Sequence, residues 1–129
     1  MRLLDTSAVL AHFFQEPGGD TVDSLLREGN VWLATPTLLE LRVKLMNRTN
    51  PDEIVEEYRQ LSAGIVDVTV EVVRAAFSLR AATHGRLPLV DSMIAGAAKV
   101  RGFQLVHRDA HMARIPQDLL AHTILPAKA

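Results

Sequence analysis

Short apolar runs along this chain alternate with longer segments in which apolar residues recur every three or four positions. The short runs predict strands at residues 3–4, 31–34 and 65–68, in the stretch that ends at Asp109, and near residues 123–124. The longer segments predict amphipathic helices that begin near residues 6, 20, 35, 50, 70 and 88. Strands that alternate with helices in this way indicate an α/β domain with a parallel sheet.

Two of the predicted helices have features that bear on packing. The helix from residue 70 to about residue 83 is expected to pack through Val73, Ala76 and Phe77, which lie three or four positions apart. The helix that follows residue 34 is expected to use Thr35 as its cap and Pro36 in its first turn. Both assignments rest on local pattern alone.

The helix from Pro88 to the glycine stop at Gly102 carries an acid near its start. Asp91 lies on the same helical face as Ile94 and Ala98, so this carboxylate is expected to point toward the interior. An ionised carboxylate rarely enters an apolar interior without a partner cation, because the lost hydration is large. The alternative is that Asp91 only interacts with the positive end of the helix dipole.

Composition limits the kinds of chemistry that this chain can perform. Its 129 residues are predicted to form a single domain, residues 1–129, and no apolar run reaches the length of about 18 residues that a membrane span needs. The N-terminus lacks the cleavage region of a signal peptide, so a cytoplasmic location is expected. The chain has no cysteine. A metal would therefore be held by oxygen ligands, with or without histidine, as Mg²⁺ or Mn²⁺.

Three acids stand where the predicted strands and helices meet. Asp5 and Asp109 each follow an apolar strand, and Asp91 opens the helix that precedes the second of these strands. Sites in open α/β sheets lie outside the carboxyl ends of the strands, where three carboxylates would repel one another unless a divalent cation lay among them. A metal site at this edge is therefore predicted. Asp5 could instead simply cap its helix, and Glu40 alone would be interpreted as a surface ion pair with Lys44.

Four motifs in order resemble those of a known family. They are LLDTSAVLA at residues 3–11, TPTLLEL at 35–41, LVDSMIAGAA at 89–98 and LVHRD at 105–109. Together they resemble the PIN-domain ribonucleases, and most closely the VapC-type toxins of bacterial and archaeal toxin–antitoxin pairs. The resemblance covers essentially the whole chain. It implies a three-layer α/β/α fold with a mainly parallel, roughly five-stranded sheet.

The resemblance also implies an activity, a metal and partners. The activity is Mg²⁺- or Mn²⁺-dependent hydrolysis of RNA, and the partners are a cognate antitoxin and a second copy of the chain, in a homodimer or a larger assembly. The site would comprise Asp5, Glu40, Asp91 and Asp109, with Ser7 orienting a carboxylate or contacting phosphate. Candidates for holding the RNA backbone are the basic residues Arg108, Arg101 and Arg114.

The chain departs from the family pattern around its last acid. His107 stands where the family often has Thr, Ser or Asn, and His111 stands where a second acid often follows. These histidines leave open how Asp109 is oriented and whether they join a mixed site for a softer metal or face solvent or phosphate. A catalytically weak RNA- or protein-binding module is therefore the alternative function. A phosphoacceptor receiver has only Asp67 in its support.

Overall fold

A computed structural model describes residues 1–128 and has a single five-stranded sheet. Its strands are β1 (Arg2–Leu4), β2 (Val31–Ala34), β3 (Gly64–Val66), β4 (Gln104–His107) and β5 (His122–Ile124). The helices are α1 (Thr6–Phe13), α2 (Gly19–Glu28), α3 (Thr35–Lys44), α4 (Pro51–Leu61), α5 (Val70–Ala82) and α6 (Leu89–Arg101), and a short 3₁₀ turn covers Met112–Arg114. The alternation of strands and helices agrees with the prediction.

The strands lie in the order β3-β2-β1-β4-β5, and every neighbouring pair is parallel. The chain adds β2 and β3 on one side of β1 and then returns to add β4 and β5 on the other side. The order therefore reverses between β1 and β4, and such a reversal opens a crevice at the carboxyl ends of the two strands. This crevice is the place where the sequence predicts a site.

Successive residues of the strands pack on opposite faces of the sheet and so generate two separate cores. Leu3 and Leu105 belong to the core that is covered by α5 and α6, whereas Leu4 and Val106 belong to the core covered by α1 to α4. Side chains that alternate along a strand always point to opposite faces. The three-layer α/β/α architecture with a parallel five-stranded sheet is thus confirmed.

Close backbone contact holds α6, the helix that carries Asp91, against α5. A Cβ atom added at Gly96 would lie 2.8 Å from both the backbone nitrogen of Ala76 and the carbonyl oxygen of Val72. Only glycine permits the two helices to approach so closely. The packing fixes the position of α6 and, through it, the position of Asp91.

The structure corrects two local predictions about packing and capping. Phe77 and Val73 do not face the core, because their residues are 74% and 52% exposed, whereas Ala76 is buried as expected. Thr35 does not cap α3, since it is the first residue of that helix and its hydroxyl accepts a bond from the backbone of Val68. Pattern alone could not distinguish an apolar face that meets the sheet from one that no other helix covers.

Element boundaries differ from the predictions by one or two residues. The third strand ends at Val66 rather than at residue 68, and Pro88 precedes α6 as its cap instead of opening it. Within residues 1–128, no helix has both the length and the apolar character needed to cross a membrane.

Candidate metal centre

Asp5 directly follows β1 and forms the cap of α1. Its Oδ1 accepts hydrogen bonds from the backbone nitrogen of Ala8 at 3.0 Å and from the hydroxyl of Ser7 at 2.6 Å. The Ser7 hydroxyl oxygen in turn accepts from the backbone nitrogen of Arg108 at 3.0 Å, which ties the ends of β1 and β4 together. Ser7 thus orients the carboxylate, one of the two roles expected for it. Asp5 also caps α1, which was the alternative interpretation of this residue. The bonds from Ser7 and Ala8 are both accepted by Oδ1.

Burial makes the Asp5 carboxylate difficult to ionise. The side chain is almost completely inaccessible, and this desolvation raises its pKa to about 7 against the opposing effect of the bonds from Ser7 and Ala8. The nearby carboxylates of Asp109 and Asp91 raise the pKa further. A cation in the crevice would relieve both causes.

Asp91, Asp109 and His111 converge at the mouth of the crevice. Each offers one ligand atom, and the three atoms lie within 4.8 Å of one another. Desolvation raises the pKa of Asp91 to about 6, with smaller contributions from Asp109 and Glu40 in the same direction, whereas His111 lowers it. Two carboxylates and an imidazole supply the oxygen and nitrogen ligands that suit Mn²⁺, and carboxylates with water suit Mg²⁺.

The backbone that follows β4 also fixes Asp109. Its Oδ1 accepts from the backbone nitrogens of His111 at 2.8 Å and Met112 at 3.0 Å, at the start of the 3₁₀ turn. The Nδ1 atom of His111 lies 3.4 Å from the same oxygen. As at Asp5, one carboxylate oxygen is held by the fold, and the structure gives no hydrogen bond to the other within residues 1–128.

Glu40 approaches the same crevice from α3. Its Oε1 accepts a hydrogen bond of 2.5 Å from the hydroxyl of Thr6, which also lies 3.3 Å from the hydroxyl of Thr37. Its carboxylate therefore faces the start of α1, where Asp5 is the cap, and not the surface that the pairing with Lys44 would require. The structure brings Glu40 together with Asp91 and Asp109 along a cleft of about 700 Å³.

Two basic residues that the sequence analysis did not single out line this cleft. Arg80 comes from α5, and Arg86 comes from the loop that leads into α6. The Arg80 guanidinium donates to the carbonyl oxygen of Leu87, which fixes that loop. The only available signal was the position of Arg86, five residues before Asp91 in a turn of residues 84–86.

The three arginines expected to hold RNA do not all lie near the acids. Arg101 ends α6 and stacks over Trp32 at 4.5 Å, about 15 Å along the helix from Asp91 by the usual rise per residue. Arg108 is paired with Glu16, and its side chain is only 10% exposed. Arg114 is exposed and packs beside Gly85, next to the loop that carries Arg86. The structure therefore places Arg114, but not Arg101, on the side of the cleft.

His107 is buried at the end of β4, where both of its ring nitrogens are engaged. Nδ1 accepts from the backbone nitrogen of Asp109 at 3.1 Å, and Nε2 lies 3.0 Å from Nδ1 of His122. Burial first, and His122 second, lower the pKa of His107 to about 4, so the ring is neutral at physiological pH. A mixed metal site that uses His107 is therefore excluded by this geometry, whereas His111 is suitably placed for one.

Comparison with known proteins identifies the family of this chain. The family model of the PIN domain matches residues 2–118. The chain therefore belongs to the PIN-domain family. Among curated proteins, none matches the sequence significantly.

Solved structures of toxin–antitoxin proteins share the fold. VapBC2 from Rickettsia felis, bound to a promoter DNA fragment, superposes with a TM-score of 0.76 at 16% identity over 97% of this chain and 98% of that chain. DNA-bound VapBC from Salmonella typhimurium superposes with a TM-score of 0.72 at 21% identity, over 96% of this chain and 98% of that chain. VapC20 from Mycobacterium tuberculosis, a toxin that cleaves the sarcin–ricin loop, gives 0.68 at 15% identity over 88% and 93%. The fold is thus that of the VapC-type proteins.

Proposed function

We propose that this protein is a divalent-metal-dependent endoribonuclease that hydrolyses RNA phosphodiester bonds and acts as the toxin of a toxin–antitoxin pair. The observation that carries the proposal is the group of acids at the carboxyl ends of β1 and β4. Burial and mutual repulsion raise the pKa of Asp5 and Asp91 to about 7 and about 6, so their ionised forms need a cation. Membership of the PIN-domain family and the fold shared with VapC-type proteins support a nuclease.

The residues of the crevice divide the work of the reaction. Asp5, Asp91 and Asp109 would hold Mg²⁺ or Mn²⁺, with His111 as a further ligand in the Mn²⁺ form. When bound, the metal supplies a water ligand of lowered pKa and neutralises charge on the phosphate. Glu40, fixed by Thr6, would orient the attacking water, which displaces the 3′ oxygen and leaves a 5′-phosphate.

Phosphate contacts come from the basic residues on the same cleft. Arg86 is exposed and lines the cleft beside the acids, so its guanidinium would bind the RNA backbone next to the scissile phosphate. Arg80 would hold the loop of Arg86 through its bond to Leu87. Arg114, beside that loop, is a further contact, whereas Arg108 and Arg101 are occupied by Glu16 and by aromatic rings.

A toxin of this kind implies a cognate antitoxin, an assembly and a cytoplasmic location. The related VapBC structures were determined as toxin–antitoxin pairs with DNA, which supports an antitoxin partner here. The apolar side chains of Phe77 and Leu89, exposed on α5 and α6, support contact with a second copy of the chain.

The test compares cleavage of a mixed pool of structured RNAs in Mg²⁺, in Mn²⁺ and in EDTA. Asp91→Asn is purified in parallel, with Asp67→Asn as a matched control, because Asp67 is exposed just after β3. Cleavage by the wild type and Asp67→Asn, lost in EDTA and in Asp91→Asn, is expected. Equal cleavage by all three proteins would reveal a contaminating nuclease. Metal binding without any cleavage would favour the catalytically weak binding module.

A further inference from the structure

The buried histidine pair behind Asp109 forms a hydrogen-bond chain with a single possible direction. The chain ends at the carbonyl oxygen of Ile115, which can only accept, so Nε2 of His122 must donate to it across 2.8 Å. Nδ1 of His122 is then bare and accepts from Nε2 of His107 at 3.0 Å. Nδ1 of His107 is in turn bare and accepts from the backbone nitrogen of Asp109.

We infer that His107 and His122 are positioning residues that hold the Asp109 backbone, and hence its carboxylate, in the orientation that the metal centre requires. The inference rests on the proposed function only in treating Asp109 as a metal ligand. The hydrogen-bond chain connects the end of β4 to the segment between the 3₁₀ turn and β5. A neutral ring whose tautomer is fixed at one end can present a bare nitrogen at the other, which a flexible side chain could not do as rigidly.

Further hydrogen bonds hold His122, the residue of the hydrogen-bond chain that lies farther from Asp109. His122 is buried and begins β5, and its backbone nitrogen donates to the side-chain oxygen of Gln117 at 3.0 Å. The Gln117 amide returns a bond of 3.0 Å to the carbonyl oxygen of His122. These bonds fix the backbone of His122, and the bond from its Nε2 to the carbonyl oxygen of Ile115 fixes the orientation of its ring. This arrangement accounts for a histidine at position 107, because a shorter side chain would not reach His122.

Two substitutions at His107 separate its two nitrogens. In His107→Asn the amide oxygen stands near Nδ1 and can still accept from the Asp109 backbone, but the bond to His122 is lost. In His107→Gln the amide extends toward His122, and the acceptor for Asp109 is lost. His12→Gln serves as control, because His12 also bonds through both nitrogens, to Tyr58 and Asp23, in another part of the protein.

Three readouts report on the hydrogen-bond chain without any RNA. In ¹⁵N spectra of the metal-free protein, His107 and His122 should both carry their proton on Nε2. Hydrogen exchange of the Asp109 amide should be slow in the wild type, in His107→Asn and in His12→Gln, and fast in His107→Gln. Titration with Mn²⁺ alone should show affinity weakened about 10-fold or more in His107→Gln, and much less in His107→Asn.

The outcomes distinguish this inference from the proposed function. Equal rates of hydrogen exchange of the Asp109 amide in His107→Asn and His107→Gln would overturn the inference, because the ring of His107 would then only fill space. A proton on Nδ1 of His107 would also overturn it. A wild-type protein that binds no Mn²⁺ would refute only the metal centre. The ¹⁵N spectra and the hydrogen exchange would still test whether the hydrogen-bond chain exists. Where the His107 variants do not fold, His122→Asn and His122→Gln give the same comparison, with only Asn retaining the acceptor for His107.

Discussion

Replacing Asp5 with Asn should stabilise the metal-free protein at pH 8. In the wild type, burial raises the pKa of this carboxyl from 3.8 to about 7, so the ionised form is held at a cost to the fold. Asn can still accept the bonds from Ser7 and Ala8 through its amide oxygen, and Asn and Asp are about equally good helix caps. The substitution therefore removes the cost of the charge while it retains the local geometry.

The size of the effect follows from the difference in pKa. Between 3.8 and about 7 lie about three pKa units, which correspond to about 4 kcal/mol at high pH. Asn is also desolvated on folding, and it loses the interaction of a charge with the helix dipole, which is worth about 0.3–1 kcal/mol. We therefore expect the free energy of unfolding to rise by about 1–3 kcal/mol at pH 8.

The dependence on pH has a definite sign. Because the folded-state pKa lies above the unfolded value, the ionised carboxylate destabilises the fold fully above about pH 7. That cost shrinks as the pH falls below about 7 and disappears only below the unfolded pKa of 3.8, where the group is protonated in both states. The advantage of Asp5→Asn over the wild type should shrink over the same range.

Urea unfolding in EDTA at pH 8 and pH 5.5 measures this effect. Asp20→Asn is the matched control, because Asp20 is an exposed aspartate in the first turn of α2 and should give no gain at either pH. Saturating Mn²⁺ should make the wild type more stable than Asp5→Asn at pH 8. A ligand at 100 times its dissociation constant adds about 2.7 kcal/mol to the free energy of unfolding of the wild type. A loss of stability in Asp5→Asn at pH 8 in EDTA would refute the reasoning.

Three further predictions concern packing, phosphate and assembly. Gly96→Ala should lower the free energy of unfolding by about 1–3 kcal/mol in urea, because its Cβ would lie 2.8 Å from the backbone of α5. Arg86→Ala should weaken binding of single-stranded RNA in a filter assay, with Mn²⁺ affinity unchanged in calorimetry, and a parallel loss of both would contradict its phosphate role. Phe77→Ser should reduce self-association in sedimentation, with unfolding changed by less than about 0.5 kcal/mol because Phe77 is 74% exposed.

The sequence predicts the architecture well because strands and helices here have distinct periods. Alternation of short apolar runs with amphipathic segments specifies a parallel α/β sheet, and the order of strand ends brings Asp5 and Asp109 to one edge. The inward direction of Asp91 followed from the apolar residues on its face. Phe77 was misplaced because periodicity identifies an apolar face without showing which element, if any, covers it.

The details of the centre depend on contacts between residues that are distant in the chain. The bond from Thr6 to Glu40 spans 34 residues, so only the family resemblance brought Glu40 into the site. The bond between His107 and His122 spans 15 residues and depends on how β5 pairs with β4. No local pattern reports such a contact, and for this reason the role of His107 in holding Asp109 was left open.

The buried charges of the candidate metal centre lower the stability of the metal-free fold, and hydrogen bonds from the backbone hold these charges in place. Asp5 and Asp109 each accept hydrogen bonds from backbone N–H groups on one carboxylate oxygen, which holds the acids in place. At Asp5 burial raises the pKa to about 7, with the carboxylates of Asp109 and Asp91 adding to the effect, so the ionised form is costly there. A site preorganised in this way would bind a cation strongly, because the metal-free protein already bears the cost of assembling the charges. Substitutions that relieve this cost should therefore stabilise the protein and weaken metal binding together.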